Sequence, residues 1–193
     1  DFCVDRFEDE LNVEFLNDIP GGDRNLGIDF IQVEGVWYGI ATSFFDNKLY
    51  RLTFENGLSN PSTSIVALDN PDGVLSKPLS IALLEQDGFV YALIHNTTAS
   101  LAKVTFNDGI AGTSQSGSIV YSTYGGSTSK MDIIDTGTEL KTIVINDDAT
   151  MGIIDFDNNV NKAITSADVL TTLPVLGMTQ TRDIEMINVG GSW

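Results

Sequence analysis

Apolar residues along this chain come in short runs, broken by clusters of Gly, Asn, Asp, Ser and Pro. No long segment keeps a 3.6-residue period, so the runs read as strands rather than helices. Three stretches line up as copies of one unit. The first holds Ile28–Val33, Val36–Thr42 and Lys48–Phe54; the second Leu79–Leu84, Phe89–Ile94 and Ser100–Phe106; the third Met131–Ile134, Leu140–Ile145 and Met151–Phe156. A more polar run follows each: Ser64–Leu68, Gly117–Ser122 and Asp168–Leu173. Arg182–Ile187 reads as the start of a fourth copy.

The spacing is regular. Asp29, Ser80, Asp132 and Asp183 follow one another at 51, 52 and 51 residues, and Phe54, Phe106 and Phe156 at 52 and 50. One residue after each Phe comes a pair that tolerates positive φ: Asn56-Gly57, Asp108-Gly109 and Asn158-Asn159. An apolar residue then follows, Leu58, Ile110 or Val160. The second run of each unit is apolar on both faces, as in a strand covered on both sides. The fourth is polar, as an outer edge should be. Four antiparallel strands per repeat of about fifty residues describe a blade of a β-propeller.

The expected fold is therefore all-β and propeller-like, with about 3.7 four-stranded blades of about 51 residues. The boundaries fall near 1–25 (partial), 26–76, 77–128, 129–179 and 180–193 (partial). Both ends lie inside a blade, so the chain reads as part of a larger ring, held by the rest of a longer chain or by a carrier. Val4–Asn17 admits two readings, an amphipathic helix or, at Val13–Leu16, the last strand of a preceding blade. The second places Pro20-Gly21-Gly22 where Pro71-Asp72-Gly73 sits one repeat later. The opening Asp1–Glu10 is acidic and is not a secretory signal.

Charge narrows the partners. Lys and Arg total 10 against 27 Asp and Glu, a formal net charge of −17. Nucleic acid and anionic membrane surfaces need a basic face. No apolar run is long enough to insert as a membrane helix. One Cys and one His leave little for a zinc site or a His-dependent nucleophile. No phosphate-binding, dinucleotide or Gly-x-Ser-x-Gly motif is present.

Several candidates for chemistry have bland alternatives. Asp155-x-Asp157-x-Asn159-x-Asn161 alternates like a calcium loop, but the sixth and twelfth EF-hand positions would be Val160 and Ser166, so turn chemistry is the expected reading. Asp147-Asp148 and Asp69 with Asp72 are neighbouring loop carboxylates, expected to be solvated. The recurring Asp29, Asp132 and Asp183 are expected to bond a neighbouring backbone N–H. His95 has no orienting partner at a legible spacing, and Asn96-Thr97-Thr98 matches a glycosylation tripeptide. Trp37, Tyr38, Tyr50, Tyr91 and Tyr124 either pack between blades or offer a sugar-stacking face, with packing the expected role. No catalytic, cofactor or metal residue is assigned.

Gly35-Val36-Trp37-Tyr38-Gly39, Leu49-Tyr50-Arg51-Leu52-Thr53-Phe54 and Gly57-Leu58-Ser59-Asn60-Pro61-Ser62 resemble the propeller-like repeats of large secreted proteins of gliding and marine Bacteroidetes. Gly190-Gly191-Ser192-Trp193 is similar to the start of another copy. The second and third repeats depart from the motif at Phe89-Val90-Tyr91 and Leu140-Lys141-Thr142. The resemblance implies a non-enzymatic, gliding-motility-associated surface adhesin, exported by the type IX pathway and placed outside the cell. It also implies contacts with protein or glycan, and with an outer-membrane translocon or anchor. The alternatives are a propeller enzyme, a polysaccharide lyase or hydrolase with its active site in blades beyond this sequence, and a sugar-binding lectin.

Overall fold

The computed structural model describes residues 25–60, 62, 64–122, 128–146 and 150–174. They form twelve strands: β1 (Asn25–Val33), β2 (Val36–Ser43), β3 (Lys48–Phe54), β4 (Ser64–Leu68), β5 (Pro78–Gln86), β6 (Phe89–Asn96), β7 (Ser100–Phe106), β8 (Gln115–Ser122), β9 (Thr128–Asp135), β10 (Leu140–Asn146), β11 (Thr150–Asp155) and β12 (Val169–Pro174). Single 3-10 turns lie at Pro71–Gly73 and Ser166–Asp168. The strands pair in chain order into three four-stranded antiparallel sheets, β1–β4, β5–β8 and β9–β12. The expected strands are all present, with ends shifted by a few residues. The Val4–Asn17 segment, the fourth copy and Tyr124, Asp147, Asp148 and Asp183 lie outside the described residues. Among the described residues no helix is long and apolar enough to cross a membrane.

The sheets meet along their first strands: β1 lies against β5, and β5 against β9. This is the inner edge of a propeller, with β4, β8 and β12 outermost. Alternation along each strand feeds two interfaces. Tyr38, Ile40 and Leu49 of the first sheet meet Leu83, Ala92, Val104 and Phe106 of the second. From the other face of the second sheet, Leu84, Tyr91 and Leu93 meet Met131, Leu140, Ile154 and Phe156 of the third. Phe54, Phe106 and Phe156 are 1%, 0% and 0% exposed. Phe106 and Phe156 thus fill successive junctions, while Phe54 packs with Trp37, Tyr50 and Phe30 on the opposite face of the first sheet.

The Trp-Tyr-Gly glycine has a packing cause. A Cβ on Gly39 would come within 2.8 Å of the Phe30 ring, which lies across it and reaches Phe54 at 5.9 Å between centroids. At the inner edge a Cβ on Gly27 would meet the Ser80 backbone at 2.9 Å, so β1 and β5 approach more closely there than a side chain allows.

The turn pairs play the expected part in two repeats and vary in the third. Gly57, Gly109 and Asn159 each donate a backbone N–H to the carbonyl of the preceding Phe. Gly57 and Gly109 have φ of 83° and 81°, whereas the third turn places its positive φ on Asp157 and Asn158, at 48° and 59°. Ile110 and Val160 are buried, but Leu58 is 45% exposed.

Pairing also corrects one equivalence. Asp29 pairs with Ile40, Ala82 with Leu93 and Asp132 with Ile143. Ile40, Leu93 and Ile143 are themselves in register, since they pair with Arg51, Lys103 and Ile153, each three residues before the repeat Phe. Ala82, not Ser80, therefore stands where Asp29 and Asp132 stand. Ser80 lies two residues earlier, beside an irregularity between Pro78 and Ser80 that even spacing does not reveal.

Candidate functional site

The inner edge gathers the acidic groups that recur with the repeat. Asp29 sits mid-strand on β1, on the side facing the second sheet. Its Oδ2 accepts from the Leu83 N–H of β5 at 2.7 Å, and its Oδ1 from the Phe30 N–H at 2.7 Å. The expected bond to a neighbouring backbone is thus present, and it fastens the first sheet to the second. Asp132, in the same position on β9, accepts from the Ile133 N–H at 2.8 Å. Burial raises the Asp29 pKa, the two N–H donors lower it, and the charge of Asp132 raises it further; the net shift is upward. The two carboxylates stand on the first and third sheets, either side of the second, and the Asp132 charge is the smallest of the causes acting on Asp29.

Farther out, one basic side chain per junction reaches into the next sheet. Arg51 Nη1 donates to the Ile110 carbonyl at 2.6 Å and to the Gly112 carbonyl at 2.5 Å. Lys103, its counterpart on β7, donates to the Val160 carbonyl at 3.4 Å and to Asn161 Oδ1. Burial lowers the Lys103 pKa, and its Nζ lies 5.6 Å over the Tyr91 ring.

The remaining candidates resolve into structural roles. Asp72 Oδ2 accepts from the Gly117 N–H at 2.7 Å, tying the connector between the first two sheets to β8. Asp69 is exposed and pairs with Lys48 at 3.6 Å, so the two carboxylates do not converge. In the acidic loop after β11, the Lys162 ammonium lies 2.6 Å from both Asp157 and Asp168 and donates to the Asp155 carbonyl at 3.0 Å. That internal cation sits among the acids of the calcium-like pattern, and it holds the Asp168 carboxyl at about 2. No cluster of three or more His, Cys, Asp or Glu suited to a metal occurs among the described residues.

His95 is fully buried at the end of β6, and burial holds its pKa down at about 4. It is neutral at physiological pH and closed to solvent. Asn96 is buried too, with its side chain bonded to the Val74 carbonyl, the Ser100 hydroxyl and the Ser76 N–H, so the glycosylation tripeptide presents no acceptor. Tyr38 and Tyr91 are buried between sheets, and Tyr50 and Trp37 pack with Phe54 on the other face of the first sheet, so these aromatics pack rather than offer a sugar platform. The exposed aromatic that sequence reasoning missed is Phe45, 56% accessible in the turn between β2 and β3. Its signal was the Phe44-Phe45 pair, where the later repeats have Thr97-Thr98 and Asp147-Asp148.

No family model and no curated protein matches this chain. Among solved structures it is similar to the catalytic domain of a GH62 α-L-arabinofuranosidase from Coprinopsis cinerea, with a TM-score of 0.57 and 15% identity, over 77% of this chain and 51% of that one. It also matches Bacteroides ovatus xyloglucan PUL GH43B, with a TM-score of 0.49 and 17% identity, over 68% of this chain and 26% of that one. The chain spans about half the length of the arabinofuranosidase domain. The expectation of a non-enzyme is corrected here. It rested on the resemblance of the Trp-Tyr-Gly repeat to surface adhesins, and a similar arrangement of sheets occurs in a catalytic domain. The all-β propeller fold is the property that the arabinofuranosidase domain shares with this chain.

Proposed function

We propose that the chain supplies blades of a carbohydrate-processing propeller of the glycoside-hydrolase kind, with Asp29 and Asp132 as the acidic groups at its axis. The observation that carries this reading is that two carboxylates, Asp29 and Asp132, stand at the same register position on the inner strands of two different sheets. Glycosidic cleavage by the common route uses two carboxyl groups, one holding a proton for the leaving oxygen and one acting as base or nucleophile. Unlike environments assign such roles. Asp29, whose pKa is raised chiefly by burial, suits the proton-holding part, and the Leu83 and Phe30 N–H groups fix its orientation. Asp132, at the matching position on β9, is the candidate for the second part.

The likeness to an arabinofuranosidase domain supports an arabinose-bearing glycan as the first substrate class to test. The net charge of −17 supports a neutral glycan over a uronate-rich one. A polymeric substrate supports the extracellular or cell-surface location, and membership of a longer secreted chain, that the Trp-Tyr-Gly repeat implies.

The test incubates the full-length protein with an aryl α-L-arabinofuranoside and with arabinoxylan. Sugar release is expected, falling roughly 10²-fold or more in Asp132→Asn, the usual scale for an acid–base group. Asp29→Asn should fall likewise, and its melting temperature should fall too, since the amide keeps one acceptor oxygen for the two N–H donors. No release by the wild type, or an unchanged rate in Asp132→Asn, removes the reading.

A further inference from the structure

The turn between β2 and β3 carries Phe44 and Phe45 edge to face, with centroids 5.0 Å apart and planes at 89°. Phe45 is 56% exposed, and the Lys77 ammonium lies 5.9 Å from the Phe44 ring centre. The turn is braced on the connector into the second sheet. Ser43 Oγ donates to Asp46 Oδ2 at 2.8 Å, and the Lys77 N–H donates to Asn47 Oδ1 at 2.6 Å. The Lys77 carbonyl accepts from the Thr97 N–H at 3.2 Å, and the Ser76 carbonyl from the Thr97 hydroxyl at 3.4 Å. Asn47, Lys77 and Ala99 in this braced region have φ of 52°, 48° and 54°. Left-handed backbone at non-glycine residues is costly, and it persists where surrounding contacts over-determine it, as they do here.

A ring the size of phenylalanine is stabilised by going inside. Phe45 instead stays in water, propped by a second ring, with the exposed Asp46 next to it in the turn and the exposed Lys77 over the Phe44 ring. A flat apolar face rimmed by hydrogen-bonding groups matches a sugar ring, whose C–H face is apolar and whose edge carries hydroxyls. One ring offers too little apolar area for a protein partner, which uses contiguous patches of about 300–600 Å².

We propose that the Phe44–Phe45 ledge is a stacking subsite for one ring of a neutral glycan, with Asp46 and Lys77 bonding its hydroxyls. The ledge rests on the carbohydrate reading above and extends it to a binding position distinct from Asp29 and Asp132. It lies at the end of the sheets where β2 turns into β3, several residues along β2 from the Asp29 partner Ile40. An extended polymer, rather than a single sugar, spans that separation.

The test is native electrophoresis of the full-length protein through gels cast with arabinoxylan, xyloglucan or polygalacturonate. Wild type, Phe45→Ala, Phe45→Trp and Leu170→Ala are compared, the last removing an equally exposed apolar side chain on β12. Retardation by a neutral polymer is expected for wild type, Phe45→Trp and Leu170→Ala, with loss of roughly 10-fold or more in affinity for Phe45→Ala at unchanged melting temperature. Retardation of Phe45→Ala equal to wild type overturns the ledge and leaves the carbohydrate reading standing. Retardation by polygalacturonate alone overturns the neutral-glycan assignment. A wild type that no polymer retards overturns the ledge together with glycan binding, whereas retardation without sugar release overturns only the hydrolytic reading.

Discussion

Arg51 on β3 donates to the carbonyl of Ile110, in the turn between β7 and β8, at 2.6 Å across the junction of the first two sheets. Lys103 and Val160 repeat the arrangement at the next junction, at 3.4 Å. The buried junctions are therefore apolar through their middle and clamped by a cation on a turn carbonyl. Arg51 holds a second carbonyl, that of Gly112, at 2.5 Å. Removing the guanidinium leaves two carbonyls without their donor. Arg51→Ala is expected to cost roughly 2–4 kcal/mol in urea unfolding, and Arg51→Lys distinctly less, since hydrogen bonds to charged groups contribute about 1.5–3 kcal/mol.

Phe106 is fully buried between the first two sheets, while Phe45 stands in solvent. Phe106→Ala should cost roughly 3–5 kcal/mol, the usual range for a truncated core Phe. Phe45→Ala should change stability by no more than about 0.5 kcal/mol. Thermal and urea unfolding of the two variants side by side checks the contrast.

A side chain at position 117 has no room. A Cβ there would stand 2.4 Å from the Pro71 carbonyl oxygen, and the Gly117 N–H bonds Asp72 at 2.7 Å. The obstacle is backbone, so β8 and the connector must separate. Gly117→Ala is expected to lower stability by roughly 1–3 kcal/mol. Asp72→Asn, which keeps an acceptor, should cost less.

Acid should act through His95. Its folded pKa of about 4 lies below the ordinary 6.5, so the unfolded chain binds the proton more readily. The stability this group contributes is complete above pH 6.5 and is lost as pH falls toward 4, by ~3 kcal/mol in all. Asp29, whose pKa is raised, works in the opposite sense: its penalty is present when it is ionised and relieved as it protonates. His95→Gln should flatten unfolding free energy against pH between 6.5 and 4, and an unchanged slope would assign the acid sensitivity elsewhere.

The blade was legible because it is a local property repeated. Strand-length apolar runs, a Phe every 52 and 50 residues and a turn pair after each Phe require only near neighbours to specify them. Hence β3, β4 and β7 begin and end where their sequence runs do. The Asp29 bond to backbone was also readable, since a carboxylate recurring with the repeat has a repeated structural duty.

What only the tertiary structure decided depends on residues far apart in the chain. Ala82 rather than Ser80 matches Asp29, because strand pairing sets the equivalence and the turn into β7 has one residue fewer than the turn into β3, a difference that even chain spacing hides. Lys162 fills the calcium-like loop, because Asp168 returns to it across a 3-10 turn. Tyr91 goes inside and Phe45 stays out, although hydrophobicity alone ranks the phenylalanine as the better core residue. Strand alternation aims Tyr91 at the third sheet, while the β2–β3 turn carries Phe45 past the last pairing that would cover it. Local pattern determines that a strand forms and where it turns. Which faces meet, and which carboxylates come within reach of each other's charge, follows from how the sheets pack about their inner edge.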